Sequence, residues 1–462
     1  MTKQLKPKEL TELAREGARK MLSMCVPLRA GDTAAIFYDG TTRGVATLLR
    51  EASQELDLNL RERYVPVKQQ IASQGSPFPD DLSAMGDALA VLTCISSNPR
   101  STAYRRGLIK AGTNFDNYFG HVPGANVKIL AYAMNIDFEE AESRCDDLAL
   151  ALARSKKAVV RTYDLDASGN PQSEHILHLS FAEGRLPITS TGKIPRGTWG
   201  NIPGGEAFVA PAEGRANGTF ALNGAFHNYV LPAGASLHLI FEDGALVRIE
   251  GSGEPLAAFN RLFNSMKGNG GPQYNQLAEL GIGVNSGISE LTGTELLDEK
   301  CVGTAHIAIG DNTRFGGNNE SGVHEDFITR KPSIELDEIP ILEAGANAFD
   351  ALRWRESVFD GGVAKEDWHS DPYLQRGLRG EAIDGTALLI NQEVAAGRIC
   401  RYTIGNKESS PILSALYRML PDHFSNICDT ANKGLNLSRE TTIRGLEILQ
   451  THGLVRKQHR AD

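Results

Sequence analysis

Glu279, Asp298, Glu299, His306, His324 and Asp326 crowd into one stretch, through ELGIGVN, DEKCVGTAHIAIG and FGGNNESGVHED. Carboxylates mixed with imidazoles are the donor set that borderline divalent metals take. The interleaved glycines let the backbone turn sharply and let a ligand come close. His324 and Asp326 stand two apart, so on a strand both face one way and could reach one ion, while Glu325 points away. His306 lies in the apolar run TAHIAIG, Glu279 between QLA and LGIG, and Glu206 in NIPGGEAFVAP. Alone, each reads equally well as a hydrogen-bonded core residue. Together, four ionisable groups embedded in apolar sequence beside glycine turns favour a metal site, because buried charge is costly unless paired or bound to a cation.

The elements that must position these residues divide the chain by texture. Residues 1–165 alternate helical and strand patterns, among them a helix over 8–24, TAAIFY, a helix over 43–56, RERYVPV, ALAVLTC, STAYRRGLIKAG with Ser101 as its cap, and a helix over 137–153. That alternation predicts an open α/β domain. Residues 166–345 carry short strands of period two (HILHLSF, ASLHLIF, GALVRIE), broken by Gly, Pro and Asn, with a helix over 254–267. They predict an α+β metal-binding catalytic domain. Residues 346–395 read as a linker or irregular extension. Residues 396–462 predict three helices and the strand LVRKQ, the pattern of a winged helix.

The 462-residue length calls for more than one core. With 41% hydrophobic and 23% charged residues and 47 glycines, the composition is globular. A net charge of -9 argues against a molecule-wide nucleic-acid surface. No P-loop or dinucleotide-binding glycine fingerprint is present. No apolar run reaches bilayer-spanning length and the charged N-terminus lacks a signal-peptide core. The cysteines (Cys25, Cys94, Cys145, Cys301, Cys400, Cys428) are scattered, as reduced thiols of a cytoplasmic protein would be.

GNIPGGEAFVAP, ELGIGVN, DEKCVGTAHIAIG and FGGNNESGVHEDF together resemble the aminopeptidase T / aminopeptidase S family of leucyl-aminopeptidase-like metallopeptidases, over about residues 5–345. The resemblance implies divalent ions (zinc, cobalt or magnesium) held by Glu206, Glu279, His306, His324 and Asp326. It also implies hydrolysis of a peptide N-terminus or related amide by a metal-activated water, and a homodimer. Glu299 is the candidate base for that water or a support of the metal ligands, Asp298 lies nearby, and Lys300 could pair with either carboxylate. Asn201 and Asn285 flank the motif glutamates and could orient them or hold a substrate amine. Thr313 departs from the pattern, standing where the family has its tyrosine ligand, and the loop from His306 to His324 is shorter than the aminopeptidases have it.

A second group with a similar scaffold, the 2,5-dihydroxypyridine ring-cleaving dioxygenases, holds one iron(II) with two histidines and an aspartate. His324 and Asp326 would serve there too. The glutamate at 279, where that group has a histidine nearby, leans toward the peptidases, whereas Thr313 and the short loop lean away. The hydrolase, with a C-terminal module docking a peptide or protein as in peptide-tailoring enzymes, is the leading expectation. The dioxygenase is the alternative, and a metal- or DNA-binding regulatory protein a third. Arg439 and Arg444 share their helix with Glu440 and Glu447, so a nucleic-acid partner is not expected.

Overall fold

A computed structural model describes residues 6–348 except 113, 114, 116, 183, 184 and 186, together with the strands Leu388–Ile390 and Val455–Lys457. The protein combines one parallel sheet with two large antiparallel ones. In the parallel sheet, strands Asn59–Tyr64, Thr33–Tyr38, Ala90–Cys94, Tyr118–His121 and Thr198–Asn201 lie side by side in that order. Alternate residues of the second strand enter different cores. Ala34 and Ile36 pack beneath Val45, Leu49 and the N-terminal helix, whereas Ala35 and Phe37 pack against Met85, Tyr104 and Leu108. Burial on both faces is why TAAIFY and AVLTC read as continuous apolar runs. The fifth strand belongs in sequence to the middle of the chain, so residues beyond 165 return to complete this sheet.

The helix expected over 8–24 is Pro7–Lys20, continued by a wider π turn at Met21–Cys25. Arg43–Glu55 and Phe138–Arg154 also lie where helices are expected, the latter capped by Asp137, whose carboxylate accepts from the amides of Glu139 and Glu140. Ser101 does not cap its helix. It ends a short 3₁₀ turn, Pro99–Ser101, and its hydroxyl is buried without a hydrogen-bond partner.

The two antiparallel sheets share one core. The eight-stranded sheet contributes Val160, Leu177, Leu239 and Phe241, and the seven-stranded sheet contributes Leu280, Ile282, Ile307, Ile309 and Phe327. Phe259 and Met266 of the helix Gly253–Asn269 close it. The seven-stranded sheet runs Tyr229–Val230, Ala225–Phe226, His324–Arg330, Thr304–Gly310, Leu277–Gly283, Glu206–Val209, Ile188–Ser190. Its other face carries the polar residues taken up below.

No helix among the described residues is long and apolar enough to cross a membrane. Val455–Lys457 coincides with the expected LVRKQ strand and pairs antiparallel with Leu388–Ile390. The three winged-helix helices and most of the 346–395 extension lie outside the described residues.

Candidate metal centre

Register, more than any single motif, builds the site. On the three central strands of the seven-stranded sheet, Glu279 pairs with Ala308 and Ala308 with Asp326, giving a row of carboxylate, methyl, carboxylate. The next row is Gly281, His306 and Ile328. Two-residue alternation sends Leu280, Ile307 and Phe327 into the shared core and leaves Glu279, His306 and Asp326 on the opposite face. His324 joins them from one pleat earlier on the Asp326 strand. Glu206 arrives from the neighbouring strand, paired with Gly283.

Gly281 is what lets His306 lie across the sheet. A Cβ there would stand 2.1 Å from His306 Nε2. A second glycine, Gly205, sits at φ +120 just before Glu206, and a Cβ on it would meet Asn285 at 2.5 Å. Asn285 in turn donates to the carbonyls of Gly204 (2.7 Å) and Ala133 (3.1 Å), so it fixes the Glu206 turn through backbone. Gly281→Ala is therefore expected to displace the imidazole and lower metal affinity roughly 10–100-fold, the usual cost of misorienting a ligand. Metal content after dialysis, compared with wild type, checks this.

The distances within the cluster are short. His306 Nε2 lies 3.1 Å from Glu279 Oε1 and 3.9 Å from Glu206 Oε2. His324 Nε2 lies 3.4 Å from Glu279 Oε2 and 3.5 Å from Asp326 Oδ1. His324 Nδ1 is 2.7 Å from the carbonyl of Asp311, which it reaches as a donor, leaving Nε2 to face the carboxylates. That is the tautomer a metal-binding histidine needs. Phe315 packs edge-on against the His324 ring at 5.9 Å.

Lys300, wholly buried, bridges the remaining carboxylates. Its ammonium donates to Glu206 Oε1 at 2.8 Å and to Glu299. Burial would discharge Lys300, but Glu206 and Glu299 outweigh it and raise its pKa above the ordinary lysine value. Burial pushes Glu299 up to about 8, with Lys300 opposing and Glu206 and Asp326 adding to the rise. Burial disfavours charge on His306 as well, yet Glu279, Asp326 and Glu206 lift it to about 9. Asp326 falls well below the carboxylate range because His324 and His306 outweigh its burial. The site is thus an anion-rich pocket in which each imidazole is drawn toward positive charge.

A divalent cation fits these residues. Donor atoms of Glu279, His306 and Asp326 lie within 4.8 Å of one another. Asp326 Oδ1, Glu206 Oε2 and His306 Nδ1 are buried with no hydrogen-bond partner. Buried polar atoms are normally satisfied, so orphaned oxygens beside two imidazoles suit an ion better than a plain hydrogen-bonded core.

Other sequence candidates take different places. Asp298 accepts from Thr292 and Gly293 amides and the Thr292 hydroxyl, closing a turn. Asn201 Oδ1 accepts from His121 Nδ1 at 3.0 Å, and the residue lines the cavity. Thr313 also lines it, its hydroxyl donating to Asp311 at 3.0 Å. The cavity, of about 480 Å³, opens beside Glu206, Glu279, Glu299, His324 and Asp326. Its walls add Arg106, Trp199, Phe208, Arg314 and Phe315, which come from separate elements and were not singled out in the sequence, although Phe208 and Phe315 lie inside the quoted motifs. Glu325 points away as alternation requires, 3.1 Å from His227.

A model of the NicX: 2,5-dihydroxypyridine 5,6-dioxygenase family matches residues 188–348, the segment that holds Glu206, Glu279, His306, His324 and Asp326. No curated protein matches the chain. Among solved structures, a 2,5-dihydroxypyridine dioxygenase from Pseudomonas putida KT2440 is similar with a TM-score of 0.55 and 16% identity, over 75% of this chain and 99% of that one. AmpT from Thermus thermophilus is similar with a TM-score of 0.53 and 18% identity, over 73% of this chain and 99% of that one. Identities this low establish a shared fold and nothing more specific. The family match, however, overturns the expected metalloaminopeptidase-like hydrolase, since it falls on the dioxygenase side across the whole donor segment. One feature of the site accords with that correction: the Thr313 hydroxyl is turned to Asp311, at the position where the peptidase resemblance expects a tyrosine.

Proposed function

We propose that this chain is a mononuclear iron(II) dioxygenase that opens a hydroxylated nitrogen-containing aromatic ring of the dihydroxypyridine class. The observation that carries this reading is the buried Glu279–His306–Asp326 cluster, with His324 at its solvent side, inside the segment matched by the dioxygenase family. His306, His324 and Asp326 would supply the two-histidine, one-carboxylate face, and Glu279, within reach of both imidazoles, would hold them in place or join as a further donor. When bound, ferrous iron would supply dioxygen activation and Lewis-acid contact to a ring hydroxyl.

The chain's own residues do the rest. Trp199, Phe208 and Phe315 give the cavity aromatic surface for a planar ring. Phe208 and Phe315 meet edge-to-face at 5.4 Å, fixing that wall. Arg106 and Arg314 line the same cavity and draw in an anionic ring or carboxylate. Glu299, in the cavity wall with its pKa raised by burial to about 8, is suited to exchange a proton with a ring hydroxyl. Lys300 keeps Glu299 and Glu206 fixed while that happens.

The test is turnover by anaerobically purified chain loaded with ferrous iron. Added to air-saturated 2,5-dihydroxypyridine, it should consume one dioxygen per ring lost, seen as decay of the ring's near-ultraviolet absorption, and zinc-loaded chain should do neither. Absence of oxygen uptake with 2,5-dihydroxypyridine and with its ring-hydroxylated and ring-carboxylated analogues would rule the reading out.

A further inference from the structure

The eight-stranded sheet carries a second convergence of metal-ligating side chains that the site above does not use. Asp164 lies in the strand Lys157–Leu165, one residue before its end, His175 lies in Pro171–Ser180, and His238 lies in Leu237–Glu242. Asp164 Oδ2 is 3.1 Å from His175 Nε2, and Asp164 Oδ1 is 2.8 Å from His238 Nε2. The two imidazoles face each other with ring centroids 4.1 Å apart. All three donor atoms fall within 4.8 Å of one another. The Ser236 hydroxyl donates to the same carboxylate. Side-chain exposures of 19%, 26% and 27% for His175, Asp164 and His238 leave the group anchored yet open to solvent.

Ordinary sheet packing does not call for this arrangement. A cross-strand imidazole pair converging on one carboxylate through the same ring nitrogen leaves both histidines with Nε2 aimed at a common point. We infer that Asp164, His175 and His238 form a second site, for a borderline divalent cation such as zinc or cobalt, that staples three strands of the eight-stranded sheet. Three protein donors with water in a fourth position is a regular zinc arrangement. Each neutral imidazole moves its proton from Nε2 to Nδ1 as the ion takes the Nε2 lone pair, so binding needs no other reactant. Ser236 retains its bond to the carboxylate and keeps it oriented, as supporting hydrogen bonds do around metal ligands. The ion binds the folded sheet alone, and so raises its stability in proportion to the logarithm of the free metal concentration.

The probe is zinc or cobalt alone, titrated into wild type, His238→Gln and Asp164→Asn, with bound metal counted after equilibrium dialysis. Ions held at the Glu279–Asp326 cluster contribute equally to all three chains. Each variant should bind one ion fewer per chain than wild type, lose the zinc-dependent rise in melting temperature, and lose part of the cobalt visible absorption. Turnover of the ferrous-loaded chain should be unchanged. Equal ion counts and equal zinc-dependent shifts in all three chains would overturn the site. Melting of each chain without metal identifies a variant that fails to fold. Asp164→Asn keeps the side chain's shape, so it carries the test if His238→Gln does not fold.

Discussion

Replacing Lys300 with methionine should lower the unfolding free energy of the metal-free chain by about 3–5 kcal/mol, the cost of breaking a buried ion pair from one side. The side chain is completely buried and its ammonium joins two carboxylates, Glu206 and Glu299. Methionine fills most of the same volume, so a cavity contributes little of the loss. What remains is two carboxylates out of water with no counter-charge, and each unpaired group carries its own desolvation penalty. Glu299 relieves part of this by binding a proton, for which its burial already prepares it. Glu206 loses the bond to one oxygen while its other oxygen is already without a hydrogen-bond partner. Adding Glu206→Gln and Glu299→Gln to Lys300→Met should therefore restore part of the stability, a coupling that denaturant midpoints of the single and combined variants read directly. Equal midpoints for wild type and Lys300→Met would show that the network does not hold the site together.

The second large effect belongs to His324. His324→Ala should reduce oxygen-dependent turnover by more than about 100-fold, since changes one step further from a metal already cost 10–100-fold. Its Nε2 is the atom that faces both Glu279 and Asp326, and its Nδ1 is held by the Asp311 carbonyl. Alanine removes a donor and the orienting bond together. Phe315, which packs on the ring, also loses its partner. The variant should keep its fold, because the side chain is on the cavity face and a third exposed, at 32%. Melting temperature separates the two outcomes: lost activity with a native melt supports a ligand role, and lost activity with a collapsed melt does not.

How much of this was legible in the residues follows from where each signal sits. The α/β and α+β layers were readable because burial on two faces and burial on one face leave different marks, as in TAAIFY against HILHLSF. The cluster itself was readable because Glu206, Glu279 and His306 are ionisable groups inside apolar runs and His324 and Asp326 stand two apart. Their mutual placement was not, since it depends on Ala308 standing between Glu279 and Asp326 and on Gly281 making room for His306, which are facts of register. The cavity walls were invisible for the same reason: Arg106 comes from a helix of the first sheet's layer and Phe315 from a turn of the other. The reaction was misread because the two chemistries draw on overlapping donors. Five family ligands outweighed two departures, Thr313 in place of a tyrosine and the short loop from His306 to His324. The Asp164–His175–His238 group escaped because its members are single residues in three unremarkable alternating strands.

The most direct test of the centre is anaerobic titration of the chain with ferrous iron, in the His238→Gln background so that the outer cluster adds nothing. The expected result is one tightly bound iron per chain, lost on Asp326→Ala while the fold is retained. Iron binding that is unaffected by Asp326→Ala, or two equally tight ions per chain, would contradict a single ferrous centre built on Glu279, His306, His324 and Asp326.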